Sequence, residues 1–251
     1  AFSIMKFQDG AKQSITAMDS VVAFNNQGVY FYEIGDLEEA SACFRDAAVR
    51  IGSIRERLTA NRSASSLSNN YNPIRGWSKP PRTEASEEGH SIIFSRILLL
   101  NDFDCPCSEN AIPTVPSFSD IDALALVVLY NSAVLNHFHS DSRGEISTST
   151  EAAYQGYEQT FILSKNLPCN IGSSFSFHLK VLEMALFNNM GVLYHNNFAR
   201  FRDAVQCFKS ARKKMNLVED QLICNDLVTA DELQQLSLNI LVVPVGTAPV
   251  A

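Results

Sequence analysis

The feature that most constrains this chain is a motif written twice, near opposite ends. Phe24-Asn25-Asn26-Gln27-Gly28-Val29 returns as Phe187-Asn188-Asn189-Met190-Gly191-Val192. Each copy is followed by a second match, Ala40-Ser41-Ala42-Cys43-Phe44-Arg45-Asp46-Ala47 and Ala204-Val205-Gln206-Cys207-Phe208-Lys209-Ser210-Ala211, both reading Ala-x-x-Cys-Phe-x-x-Ala. Phe24, Gly28 and Phe31 recur at intervals of four and three, and so do Ala40, Phe44 and Ala47, which places each set on one face of a helix. Glycine and alanine at these positions let two antiparallel helices approach closely, while the aromatic rings fill the seam. Gly35-Asp36 supplies the turn, and Asp36 with Glu39 three residues later makes a capping-box-like start for the second helix. The second copy carries a turn one residue longer, through Asn196-Asn197-Phe198.

A degenerate third copy lies between them. Leu129-Tyr130-Asn131-Ser132-Ala133-Val134-Leu135 sets Asn and a small residue in the Asn-x-Gly positions, and Ala153 and Tyr157 follow a Thr148-Ser149-Thr150-Glu151 capping box. This order of small, aromatic and Ala positions resembles the tetratricopeptide repeat (TPR), a helix–turn–helix unit of about 34 residues. The match covers 21–51 and 176–215, with 119–166 as the degenerate repeat, whose Ser140–Ser147 connection exceeds a TPR turn. The arrangement of Leu124–Ala251, down to Thr247-Ala248-Pro249-Val250-Ala251, is also similar to a TPR-like family abundant in diatoms. Together these imply one all-α domain over 1–251, a helix–turn–helix solenoid interrupted by inserted loops.

The remaining segments fit around that frame. Ile4, Phe7, Ala11, Ile15 and Met18 have helical spacing and predict an N-terminal capping helix over 1–20. Thr229-Ala230-Asp231-Glu232 predicts a C-terminal helix over 229–243, stopped by Pro244. Residues 59–90, rich in Ser, Asn and Pro, read as a long loop. Ile92–Leu100 is β-branched and aliphatic, and pairing with Ala111-Ile112-Pro113-Thr114-Val115 would make a short β-hairpin over about 92–115. Only 11 glycines and 9 prolines interrupt 251 residues, which favours long regular elements.

Charge and cysteine usage narrow the functional classes. A net charge of −7 and a pI near 5.2 argue against the whole chain binding nucleic acid or an anionic membrane. No run is read as approaching the roughly 18–20 apolar residues of a membrane span, and the N-terminus lacks a secretory pattern. Six cysteines in a chain this long do not make a disulfide scaffold, so free thiols in a reducing intracellular compartment are expected, with an organelle open if a leader was removed. Cytoplasm or nucleus is the default.

The TPR resemblance also implies a binding face on the first helix of each repeat. It maps to Val22, Asn25, Val29, Tyr32 and Glu33 in the first copy, Tyr130 and His137 in the degenerate copy, and Asn188, Val192 and His195 in the last. None is basic, so a clamp for an acidic peptide tail, which needs charge-assisted donors, is not expected. An apolar helix or extended peptide anchored by Asn is expected instead. The alternative is that another part of the same chain fills the groove. Asn26 and Asn189 are expected to bond across helices, and Cys43 and Cys207 to be small buried thiols.

Two further constellations compete with this scaffold reading. Cys105-Pro106-Cys107 with His137 could begin a metal or catalytic site, but Cys-x-Cys alone is half a site, and no metal or cofactor is expected. Residues 55–82 carry Arg55, Arg57, Arg62, Arg75, Lys79 and Arg82 against Glu56 alone, with Trp77, the sole tryptophan, among them. Arg75, Trp77, Lys79 and Arg82 form a candidate docking loop for an acidic partner or RNA. The alternative is that the loop folds back and Trp77 plugs an apolar gap. No phosphate loop, nucleophile elbow or metalloprotease motif occurs. The expected function is a non-catalytic interaction scaffold, adaptor or subunit of a larger assembly, with protein partners.

Overall fold

The computed structural model describes residues 2–60, 73–79, 94–101, 117–141, 148–167 and 173–218, together with Leu222, Gln234, Leu236, Ser237 and Asn239. Among the described residues the continuous elements are six helices and two short strands: α1 (Phe2–Ile34), α2 (Leu37–Ala60), β1 (Ile74–Trp77), β2 (Leu98–Leu100), α3 (Phe118–Asp141), α4 (Thr148–Asn166), α5 (Ser173–Asn196) and α6 (Phe201–Met215). The helices pack as three successive hairpins, α1–α2, α3–α4 and α5–α6, joined laterally by α2 on α3 and α4 on α5. The fold is all-α with one small antiparallel sheet.

The first turn follows its sequence. Gly35 has φ 86°, a left-handed conformation natural to glycine, and the Asp36 N–H donates to the Phe31 carbonyl at 2.9 Å, closing α1. The Glu39 N–H donates to Asp36 Oδ1 at 3.3 Å, which opens α2. In the third hairpin the longer turn places Ala199 at φ 51°, and Arg200 binds Asp203 in the first turn of α6.

The two matching motifs build the same contact. A Cβ on Gly28 would stand 2.7 Å from Phe44 Cε1, and one on Gly191 would stand 2.7 Å from Phe208 Cε1. Only a hydrogen at these positions admits the facing ring. In the middle hairpin the small residues sit differently: Ala133 replaces the glycine, and a Cβ on Gly156 of α4 would lie 2.8 Å from Ala133 Cβ. Ala40, Ala153 and Ala204 are all fully buried, and Phe44, Tyr157 and Phe208 nearly so, which keeps the three seams equivalent.

Some boundaries differ from the sequence expectations. Residues 1–20 do not form a separate cap, because α1 runs unbroken to Ile34. Buried Met18, Val21, Val22, Asn25, Val29 and Tyr32 continue one helical face, and nothing interrupts it. The 59–90 segment is not wholly a loop, since it contains β1. Its strand takes the place expected for Ala111–Val115: β2 pairs antiparallel with β1, with Ile74 opposite Leu100 and Trp77 opposite Leu98. The apolar Leu98–Leu100 run finds a partner that buries Ile74 and Trp77 beside it, whereas 111–115 lies outside the described residues. In the C-terminal stretch, Gln234, Leu236, Ser237 and Asn239 are helical, as expected for 229–243; its other residues lie outside the described set.

Helix α3 also corrects the hydropathy reading. Phe118–Ser140 is long and apolar enough to cross a membrane by length and composition, with mean hydropathy 1.5, and 72% of its 18-residue apolar window is buried inside the fold. It is the central helix, packed on α2, α4, α1 and β2, and a helix covered on all sides reads as apolar all round.

Candidate functional site

Residues 94–101 run in extended form across the first helices of all three hairpins, and the repeated asparagines hold them there. Asn189 on α5 takes the Phe94 N–H on Oδ1 at 2.8 Å and donates Nδ2 to the Phe94 carbonyl at 3.0 Å. Asn131 on α3 does the same to Leu98, at 2.8 Å in both directions. On α1, Asn26 makes the pair with Leu100, at 2.8 and 2.9 Å. A side-chain amide carries a donor and an acceptor spaced to match one residue's N–H and C=O, so each Asn satisfies a full main-chain unit without regard to side-chain identity. The three asparagines occupy the same position in the three copies of the motif.

Other first-helix groups complete the grip. Asn25 donates from Nδ2 to the Leu98 carbonyl at 3.0 Å, and its Oδ1 accepts a hydrogen bond from Asn131 Nδ2 at 2.9 Å. Tyr32 donates to the Ser95 carbonyl at 2.6 Å and Tyr130 to that of Arg96 at 3.2 Å. On the opposite edge, the Ser78 N–H donates to the Ile97 carbonyl at 2.8 Å and the Asn101 N–H to the Pro73 carbonyl at 2.9 Å. Ile97, Leu98 and Leu100 are fully buried. Burial raises the hydroxyl pKa values of Tyr32, Tyr130 and Tyr157 well above the ordinary phenol value, which keeps them neutral donors.

A second layer extends inward from Asn189. Its Nδ2 also reaches Tyr157 Oη at 3.2 Å, and Tyr157 Oη lies 3.2 Å from His137 Nδ1. His137 is 1% exposed, its Nε2 has no hydrogen-bond partner, and burial lowers its pKa to about 3.

The residues expected on an open partner groove are therefore mostly covered. Val22, Asn25, Val29, Tyr32, Tyr130, His137, Asn188 and Val192 are buried, and Glu33 and His195 are half-buried. Asn25, Tyr32 and Tyr130 do touch an extended segment, but it belongs to the same chain. Glu33 accepts the Lys79 N–H at 2.9 Å. Asn188 bonds Asn189 and accepts from Asn239 at 2.8 Å, so the C-terminal helical residues meet its side. Val192 packs with Tyr194, Ala204 and Phe208 inside the third hairpin, and His195 stands edge-on to Phe201. These two leave the face because α6 crosses α5 there.

The docking loop is also corrected. Trp77 is buried, edge-on to Phe94 and Tyr130 at 5.6 and 6.0 Å, and its Nε1–H donates to His178 Nδ1 at 3.2 Å. A ring packed in the core cannot serve as an exposed anchor. Arg75 and Lys79 are exposed, Arg55 pairs with Asp122, and Arg82 lies outside the described residues. Cys105 and Cys107 lie outside them too. Among the described residues no group of three or more His, Cys, Asp or Glu is placed to hold a metal. Cys43 is buried and Cys207 half-buried; burial raises both thiol pKa values, that of Cys207 to about 11.

The sequence expects Asn26 and Asn189 to bond between helices and marks Asn131 only as the Asn of the degenerate motif; all three hold residues 94–100, and Asn189 also reaches Tyr157 across to α4. The available signal was an Asn recurring at one position in three otherwise apolar first helices, where an unpaired amide would be costly to bury. Comparison with protein-family models, with curated proteins and with solved structures finds no match.

Proposed function

We propose that the chain is a non-catalytic, TPR-like protein-interaction module, an adaptor or subunit of a larger assembly. The supporting observation is the row of Asn26, Asn131 and Asn189, three repeat-related side chains that grip extended polypeptide by its main chain. A series of amides aimed at peptide groups serves polypeptide recognition, and it offers neither a nucleophile nor an activated base. The neutral, buried His137 and the raised thiol pKa values of Cys43 and Cys207 point the same way, because a nucleophilic thiol needs a lowered pKa.

The test is affinity purification of the chain from its native source after mild crosslinking, with identification of what accompanies it. A protein partner in stoichiometric amount, crosslinked to the helical hairpins, is expected. RNA lost on neutralising Arg75, Lys79 and Arg82, or stoichiometric zinc lost on Cys105→Ser, would overturn the proposal.

A further inference from the structure

We infer that residues 94–100 are a resident ligand, and that the partner's contact with this face is an extended, apolar peptide that replaces them as a strand beside β1. This deepens the proposed function and rests on it. In an ordinary sheet the main-chain groups of a buried strand are satisfied by neighbouring strands. Here one edge of the segment faces β1, and the other is satisfied by side-chain amides and phenols from three separate helices. That is how a protein holds a peptide ligand: main-chain hydrogen bonds supply affinity and pockets for particular side chains supply selectivity.

The occupant defines the chemistry of its replacement. Its chain direction runs from α5 past α3 to α1, because Phe94, Leu98 and Leu100 are held in that order. Apolar side chains are required where Phe94, Ile97, Leu98 and Leu100 are buried, while the positions of Ser95, Arg96 and Leu99 are only partly covered and tolerate more. A free amide N–H is required at the three clamped positions, so proline is excluded there. Because the resident segment is tethered, it competes at an effective concentration on the order of millimolar. An external peptide therefore binds the intact chain weakly unless the resident grip is loosened.

The experiment uses the full chain and a labelled synthetic peptide of residues 94–101, Phe-Ser-Arg-Ile-Leu-Leu-Leu-Asn. Peptide binding is compared between the unmodified chain, Phe94→Ala, which loses a buried ring, and Leu98→Pro, which loses the N–H that Asn131 accepts. The expected result is binding at least tenfold tighter to either variant than to the unmodified chain. Binding should be lost when the peptide is N-methylated at its Leu98 position, and the peptide should raise the variants' melting temperatures. If Leu98→Pro is poorly folded alone, peptide-dependent recovery of its helical circular dichroism is the readout. Folded Phe94→Ala that binds no peptide, or equal binding of the N-methylated peptide, would overturn the inference. A native partner captured equally by the chain and by both variants, and undisturbed by the peptide, would also overturn it while leaving the scaffold proposal standing. Peptide binding to the variants without any native partner would overturn the scaffold proposal, and with it the claim that a partner replaces residues 94–100.

Discussion

Asn131 and Leu98 form a closed pair: the Leu98 N–H donates to Asn131 Oδ1 and Asn131 Nδ2 donates back to the Leu98 carbonyl, both at 2.8 Å and both buried. Asn131→Ala leaves the Leu98 N–H without that acceptor, although Asn25 still reaches the carbonyl. A buried group stripped of its partner costs about 1–3 kcal/mol. Urea denaturation of Asn131→Ala should show a loss of that size with an unchanged slope. A midpoint equal to that of the unmodified chain would mean the pair contributes nothing.

Gly28 and Gly191 make matched predictions. Leucine at either position drives its side chain into Phe44 or Phe208, each already 2.7 Å from where a Cβ would lie. Overpacking of this kind costs about 1–3 kcal/mol. Thermal melts of Gly28→Leu and Gly191→Leu should fall by similar amounts, whereas Gly52→Ala, with open space around it, should show no comparable clash.

His137 makes stability fall in acid. Its folded pKa is lowered to about 3 by burial, from an ordinary value near 6.5, so the folded state excludes a proton that the unfolded chain takes up. The stability it allows is complete above about pH 6.5 and declines below it by up to about 1.4 kcal/mol per pH unit, until the folded pKa is reached. His178, also lowered by burial, adds in the same direction. His137→Phe should flatten the stability profile between pH 6.5 and 4.5 without abolishing its slope. An unchanged profile would show that His137 is accessible to protons in the native state.

Glu183 acts lower on the pH scale. Burial alone would raise its pKa, but the hydrogen bonds and charges of Lys165 and Lys214 outweigh that and hold it below the ordinary carboxylate value. Its contribution is present above about pH 4.5 and is lost as the pH falls further. Glu183→Gln should remove part of the acid-dependent loss below pH 4.5 and leave the region above pH 5 dominated by the histidines. A changed profile only above pH 5 would contradict this assignment.

The hairpins were legible because their determinants are local. Four-and-three spacing, a turn glycine and an N-cap aspartate act within about twenty residues, and the Gly–Phe contact was written twice in the same letters. What the sequence concealed was the destination of 94–101. An apolar run such as Ile97-Leu98-Leu99-Leu100 states that it will be buried but not against what. Its neighbours, Asn26, Asn131 and Asn189, are separated from it by 33 to 95 residues. The same non-locality hid β1, whose Arg-Gly-Trp sequence sits in a Ser- and Pro-rich stretch and becomes a strand only because β2 and Tyr130 cover Trp77. Buried Asn25, Asn131 and Asn189 were the clue, since polar groups in a packed interior require partners.

The hold of the repeat-related asparagines on 94–100 across the three hairpins can be measured by residue-resolved native-state hydrogen exchange. The Phe94, Leu98 and Leu100 amides should exchange as slowly as those in the middle of α3, and Asn131→Ala should speed Leu98 by at least tenfold while α3 stays protected. Exchange of all three amides at the rate of an unstructured peptide in the unmodified chain would mean that the asparagines do not hold the segment.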